Sequence, residues 1–204
     1  MMIPQTVSRK TVSQKTVSQK TVLPQTTSRP MVPLELLIDD KFLTDQMTLF
    51  NTLRQDINWE GSMAARRTAS FGVPYNYAQM TYPAVPMHPS LVPVVEQLHE
   101  ALGVRFNNCL LNFYETGRSK MGFHADDTTD LQTGTGVAIV SLGHSRKITY
   151  RSKADKNLQH SFVLPPGSML YMTSDLQNDW VHAIKRQKDV GPRISLTWRA
   201  FNEA

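Results

Sequence analysis

The sequence predicts an α+β fold: a double-sheet jelly roll with two helices packed on one sheet, preceded by a disordered tail. Three observations predict it. Seven short strand-like runs follow Gly103, at 106–114, 137–142, 147–151, 161–164, 168–172, 180–183 and 193–201, separated by polar or turn-rich segments such as Pro165-Pro166-Gly167-Ser168. Two amphipathic helical patterns precede Gly103, and many short strands with a helical preface favour two packed sheets. The first thirty residues repeat with a period of five, as in Thr6-Val7-Ser8-Arg9-Lys10 and Thr11-Val12-Ser13-Gln14-Lys15.

A period of five matches neither a helix nor a strand. On a strand it moves the valine to the opposite face at each repeat, so no apolar face forms. Residues 1–32 are therefore expected to be a disordered basic tail and residues 33–204 the folded domain. Met31 is an alternative start. In the domain, residues 44–57 place Met47, Phe50, Leu53 and Ile57 at helical spacing, with Thr44 or Asp45 as cap. Ser90 is expected to cap a second helix lined by Leu91, Val94, Val95 and Leu98 and stopped by Gly103.

Composition narrows the function classes. The net charge of +5 suggests a polyanion partner until it is divided. Residues 1–34 hold five basic and no acidic residues, and the remaining 17 basic residues balance 17 acidic ones. The domain is neutral, so any affinity for nucleic acid must come from local patches. The single cysteine, Cys109, excludes an intramolecular disulfide and a cysteine-based zinc site, and its apolar neighbours predict a buried thiol. No apolar run reaches the length of a membrane span. The expectation is a soluble, intracellular, cytoplasmic monomer. The acid-free, Ser/Thr-rich tail offers organelle targeting as the alternative.

Candidate chemistry lies in His124-Ala125-Asp126, which alone would equally read as a turn with a capping aspartate. Two ligands at i and i+2 point the same way from a strand, so both can reach one metal. His182 follows in the alternating run Trp180-Val181-His182-Ala183-Ile184, as a third ligand or as a core histidine with its hydrogen bonds satisfied. Two imidazoles and a carboxylate make a facial triad suited to non-haem iron(II), which leaves coordination positions open. Arg193 opens the run Arg193-Ile194-Ser195-Leu196-Thr197-Trp198-Arg199. Arg193, Ser195, Thr197 and Arg199 share one face, and Ile194, Leu196 and Trp198 the other. Two arginines aimed inward need partners, and either a dicarboxylate or protein acids would serve.

At this point the chain resembles the AlkB-type branch of the iron(II)/2-oxoglutarate dioxygenases. The resemblance rests on Asn112-Phe113-Tyr114, His124-Ala125-Asp126-Asp127, Val140-Ser141-Leu142-Gly143, Gly167-Ser168-Met169-Leu170, Trp180-Val181-His182 and Arg193 through Arg199, in that order. It implies a double-stranded β-helix with His124, Asp126 and His182 as iron ligands and catalytic centre. It implies that Arg193 grips the distal carboxylate of 2-oxoglutarate. Arg199, Ser195, Asn112 and Tyr114 are then the further cofactor contacts. The implied cofactors are iron(II), 2-oxoglutarate and dioxygen, with ascorbate as reductant in vitro.

The same resemblance implies a substrate. Arg66–Gly72 resembles the Arg-Lys-Gln-Ala-Thr-Tyr-Gly segment of the animal DNA-repair members, which lies in a nucleotide-recognition lid. The expected reaction is oxidative demethylation of N-alkylated bases such as 1-methyladenine and 3-methylcytosine in DNA or RNA, releasing formaldehyde, succinate and carbon dioxide. The base would be single-stranded or flipped out. Phe71, Tyr75 and Tyr77 are the candidate stacking residues, or else core residues under a loop. Arg66 and Arg67 are expected near phosphate, and Asp127 beside the base. Basic clusters at Arg146/Lys147/Arg151/Lys153/Lys156 and Lys185/Arg186/Lys188 would follow a backbone, or are solvated faces. Ser195 stands where many relatives have asparagine, and Thr128 where some repair members have an acid, which leaves base preference open. The alternative is a same-fold oxygenase acting on a protein or small molecule.

Overall fold

A computed structural model describes residues 34–61, 65–77 and 80–202. The expectations for residues 1–32 lie outside it. In chain order the elements are β1 (Leu36–Asp39), α1 (Gln46–Asp56), β2 (Arg67–Gly72), β3 (Tyr75–Tyr77), β4 (Met80–Tyr82), a 3-10 turn (Pro89–Leu91) and α2 (Val92–Leu102). Then come β5 (Asn108–Tyr114), β6 (Met121–His124), β7 (Gly136–Gly143), β8 (Arg146–Ser152), β9 (Gln159–Leu164), β10 (Met169–Thr173), α3 (Leu176–Asp179), β11 (Trp180–Ile184) and β12 (Arg193–Arg199). No described helix is long and apolar enough to cross a membrane.

The strands form the expected pair of antiparallel sheets. The major sheet runs β1-β10-β7-β12-β5-β2, the minor sheet β6-β11-β8-β9, and β3 and β4 make a separate hairpin. All seven predicted runs are strands, with ends shifted by a residue or two. Every residue of β5, β7 and β12 is buried, because helices cover one face of the major sheet and the minor sheet covers the other.

The helix-side core joins Leu49, Phe50 and Leu53 of α1 and Val94 and Leu98 of α2 to Ile194, Leu196 and Trp198 of β12. Fully burying a side chain such as Leu53 or Leu98 is worth about 1.5–3 kcal/mol. Met47, expected on this face, is 51% exposed, and Leu49 takes the inward position. Asp45 is the N-cap, but its side chain makes no capping bond. The second helix begins with the 3-10 turn, where the His88 side chain accepts from the Ser90 N–H. Gly103 stops it in the left-handed region at φ 70°, its N–H donating to His99 O. Cys109 is fully buried, and burial pushes its thiol pKa well up.

Between the sheets, Leu110, Val137, Ile139, Ile148, Leu170 and Trp180 make the second core. It is incomplete at one end. There the inward positions of β5, β6, β11 and β12 carry polar side chains instead.

Candidate metal and dicarboxylate site

β6 and β11 lie side by side, with His182 directly opposite His124. Their ring centroids are 4.3 Å apart. Asp126 lies two residues past the end of β6, and its Oδ2 is 3.6 Å from His182 Nε2. One ligand atom from each of His124, Asp126 and His182 lies within 4.8 Å of the others. His124 Nδ1 contacts Gly122 O at 3.0 Å, which presents Nε2 to the cluster.

The three side chains of this cluster are set by contacts behind them. The Asp126 N–H donates to Gln177 Oε1 at 2.9 Å, so α3, which leads into β11, also fixes the loop after β6. Arg199 Nη2 donates to Asp126 Oδ1 inside the protein. Burial pushes the Asp126 carboxyl up, but Arg199 and the two histidines outweigh it and hold its pKa below the ordinary value. Burial lowers the His182 pKa to about 4, against the pull of Asp126, so the ring is neutral at pH 7. A neutral imidazole and an ionised carboxylate are the forms that bind a divalent metal.

The same chamber is lined by Asn112, Tyr114, Arg193, Ser195 and Arg199. The face assignment for β12 therefore holds: its polar positions point in and its apolar ones point to the helices. Arg193 is fully buried. Its Nη2 donates to Ser141 Oγ at 2.8 Å, with Ser195 Oγ at 3.3 Å. Nε and Nη1 have no hydrogen-bond partner among the described residues. Burial lowers its pKa to about 10, so it stays cationic at pH 7. Tyr114 lies beneath it, with the guanidinium 5.3 Å from the ring centroid. Burial raises the Tyr114 pKa and keeps the phenol neutral, although Arg193, Arg66 and Arg146 all oppose this. A buried guanidinium with two idle donors fits a carboxylate, and a His/Asp/His cluster fits iron(II).

The residues expected to meet substrate divide. Arg66 is buried rather than displayed toward phosphate, its Nε donating to Asn112 Oδ1 at 2.7 Å. Arg67 points to the other face of β2 and pairs with Glu115 at 3.2 Å. Phe71 shares that outer face, packs against the helix-side core and meets His88 edge-on at 5.8 Å. Strand alternation thus takes Arg67 and Phe71 away from the metal cluster, and the core reading applies to Phe71. Tyr75 is 5% exposed and stands behind the site, with Arg199 4.6 Å above its ring and Phe201 beside it. The Tyr77 side chain lies outside the described residues. Asp127 is exposed, and its Oδ1 accepts from the N–H and hydroxyl of Thr129, as a turn-forming aspartate does.

The basic clusters also divide. Lys147, Lys153, Lys156, Lys185, Arg186 and Lys188 are exposed, whereas Arg146 is fully buried and is no part of a surface patch. Arg151 lies 3.8 Å above the Phe123 ring. Gln177 had no signal in the sequence. Ser141 had a weak one, its place on the inward alternation of β7.

Comparison with known proteins agrees with this architecture. The family described as the 2OG-Fe(II) oxygenase superfamily matches residues 36–199. An uncharacterised protein, R406, of Acanthamoeba polyphaga mimivirus is 33% identical over 125 residues, covering 60% of this chain and 64% of that protein. The DNA oxidative demethylase ALKBH2 of Bos taurus is 30% identical over 145 residues, covering 66% of this chain and 52% of its own length. Alpha-ketoglutarate-dependent dioxygenase alkB homolog 3 of Bos taurus is 29% identical over 177 residues, covering 77% and 62%. The chain thus spans less than two thirds of each of these relatives. The solved structure of OsALKBH1 superposes with a TM-score of 0.62 at 16% identity, over 80% of this chain and 97% of that one, and shares the fold. With the family match spanning both sheets and the ligand cluster, the chain belongs to the 2OG-Fe(II) oxygenase superfamily, whose cofactors are iron(II), 2-oxoglutarate and dioxygen, and it is an AlkB-like member of it.

Proposed function

We propose that this chain is an iron(II)- and 2-oxoglutarate-dependent dioxygenase that demethylates N-alkylated bases in nucleic acid, of the 1-methyladenine and 3-methylcytosine type. The observation that carries the reading is one chamber holding two complementary ends. At one end His124, Asp126 and His182 converge on a metal position. Arg193 lines the same chamber with idle buried donors. A 2-oxo dicarboxylate needs both.

In this reading His124, Asp126 and His182 hold iron. Arg193, with Ser195 and Tyr114 beside it, receives the distal carboxylate of the co-substrate. Asn112 and Arg199 complete the chamber wall. Bound iron with 2-oxoglutarate and dioxygen supplies the oxidation of a substrate C–H bond. The protein orients the reactants and excludes water through apolar wall residues such as Leu110, Ile139 and Ile148. Hydroxylating an N-methyl carbon yields a hemiaminal, which releases formaldehyde and restores the base. The similarity to a DNA oxidative demethylase supports this substrate class. Tyr75 reaches the site through Arg199, and Arg66 acts through Asn112.

The test is repair of a single-stranded 3-methylcytosine oligonucleotide with iron(II), ascorbate and 2-oxoglutarate, following succinate and demethylated base together. Both products are expected, and both should vanish in His124→Ala. Succinate without demethylation would move the substrate to other lesions, to RNA or to protein. No turnover by folded, iron-loaded protein would refute the proposal.

A further inference from the structure

Arg146 is among the largest fully buried side chains. It opens β8, just past the turn from β7, the strand whose Ser141 holds Arg193. Its guanidinium reaches three backbone carbonyls. Nη2 donates to Ser119 O at 2.9 Å and to Lys185 O at 2.7 Å, and Nη1 reaches Thr116 O at 3.4 Å. It also lies 5.4 Å from the centroid of the Tyr114 ring. The β5–β6 connection, the end of β11 and the ring beside Arg193 thus meet on one side chain.

No carboxylate pairs with Arg146 among the described residues, and its Nε has no hydrogen-bond partner there. Arg193 is buried without a carboxylate partner among the described residues, and its guanidinium lies 5.3 Å from the centroid of the same Tyr114 ring. Two guanidinium groups thus lie 5.4 Å and 5.3 Å from the centroid of one phenol ring. Burying like charges together is unfavourable unless an anion joins them. A purely structural anchor for three carbonyls would not need to sit beside a second cation.

We propose that Arg146 is a positioning residue for the dicarboxylate end of the chamber. It clamps Tyr114 and the two adjoining loops and adds its charge to that of Arg193, so that a 2-oxo acid with a distal carboxylate is preferred over one without. This rests on the proposed function, which names that ligand.

The experiment is direct binding to full-length protein loaded with manganese(II) in place of iron, so that no turnover occurs. Calorimetry would compare 2-oxoglutarate with 2-oxobutyrate, which keeps the 2-oxo acid and lacks the distal carboxylate. Arg146→Met should bind 2-oxoglutarate about tenfold more weakly while leaving 2-oxobutyrate within about twofold, the scale expected when one charged hydrogen-bonding group is lost. Arg146→Lys, which keeps the charge but not the fork, should fall between Met and wild type. If Arg146→Met does not fold, Arg146→Lys decides, and it must weaken 2-oxoglutarate alone. Equal weakening of both acids, or wild-type affinity in the variants, would overturn the assignment of Arg146. Failure of the wild-type chain to bind 2-oxoglutarate would instead sink the proposed function and this inference with it.

Discussion

Replacing Arg199 with methionine isolates the electrostatics of the metal end. The Arg199 and Asp126 side chains are 1% and 2% exposed, so the pair is shielded from water. Methionine keeps most of the bulk and removes the guanidinium. Asp126 then has two options. It can stay ionised and buried, and breaking a buried pair by removing one partner costs about 3–5 kcal/mol. Or it can take up a proton, which at pH 7 costs a carboxyl of ordinary pKa about 4 kcal/mol, at about 1.36 kcal/mol per pKa unit. The second route caps the first, and the expected loss in the metal-free protein is about 3–4 kcal/mol. For a domain of about 170 residues this lowers Tm by roughly 6–15 °C. A divalent metal bound to Asp126 supplies the missing positive charge, so adding metal should narrow the gap between variant and wild type. Urea unfolding of wild type, Arg199→Met, Asp126→Asn and the double variant, each with and without manganese(II), reads all of this. The double variant should be no less stable than Arg199→Met alone, a coupling of about 2–3 kcal/mol. A loss under about 1 kcal/mol, or single losses that simply add, would show that Arg199 does not compensate Asp126.

Three further outcomes are expected. Arg193→Met should raise the KM for 2-oxoglutarate about 10–100-fold, the worth of a charged hydrogen bond, as read by succinate release; an unchanged KM would remove Arg193 from the cofactor site. Phe71→Ala should lower Tm by a loss of about 2 kcal/mol in the core, yet leave turnover of a methylated oligonucleotide per folded molecule within about twofold. A large turnover loss would return Phe71 to the substrate path. Finally, the His182 pKa is lower in the folded than in the unfolded chain, so the unfolded state binds the extra proton between the unfolded value near 6.5 and the folded value of about 4. Stability of the metal-free protein should therefore be complete above that window and fall by up to about 3 kcal/mol as pH drops through it. His182→Gln should flatten this part of the profile, and parallel profiles would show that another group carries it.

What the sequence disclosed depended on which residues had a periodic signature. β12 was legible to the face, because Arg193, Ser195, Thr197 and Arg199 alternate with Ile194, Leu196 and Trp198. The convergence of His124, Asp126 and His182 was only half legible, since a pair two apart and a histidine in an alternating run are each weak signals until the ordered motifs around them are read together. β2 was not read as a strand, since its inward positions include Thr68 and Ser70 and no apolar stripe forms. The lid role of its arginine and aromatic rests on the resemblance alone, whereas one face of the strand joins the helix-side core. β6 escaped because four residues with a glycine among them leave too little pattern. The sequence places Arg146 in an exposed basic cluster, because charge does not reveal burial when the partners are backbone carbonyls. Gln177 acts across the fold through a single N–H, which no local pattern marks.

β6 has one strand neighbour, β11, and their ladder loses register between the His182 and Ile184 pairings. The strand bearing the first histidine is thus the loosest seam of the minor sheet. An ion chelated by His124 and His182 would rivet that seam through side chains where the backbone ladder is interrupted. The ion would then be a hinge pin for the barrel wall as well as a reagent. Exchange of the β6 amides should then slow on metal binding more than exchange in β8. Removing the metal should then loosen the wall at β6 as well as empty the position between His124 and His182.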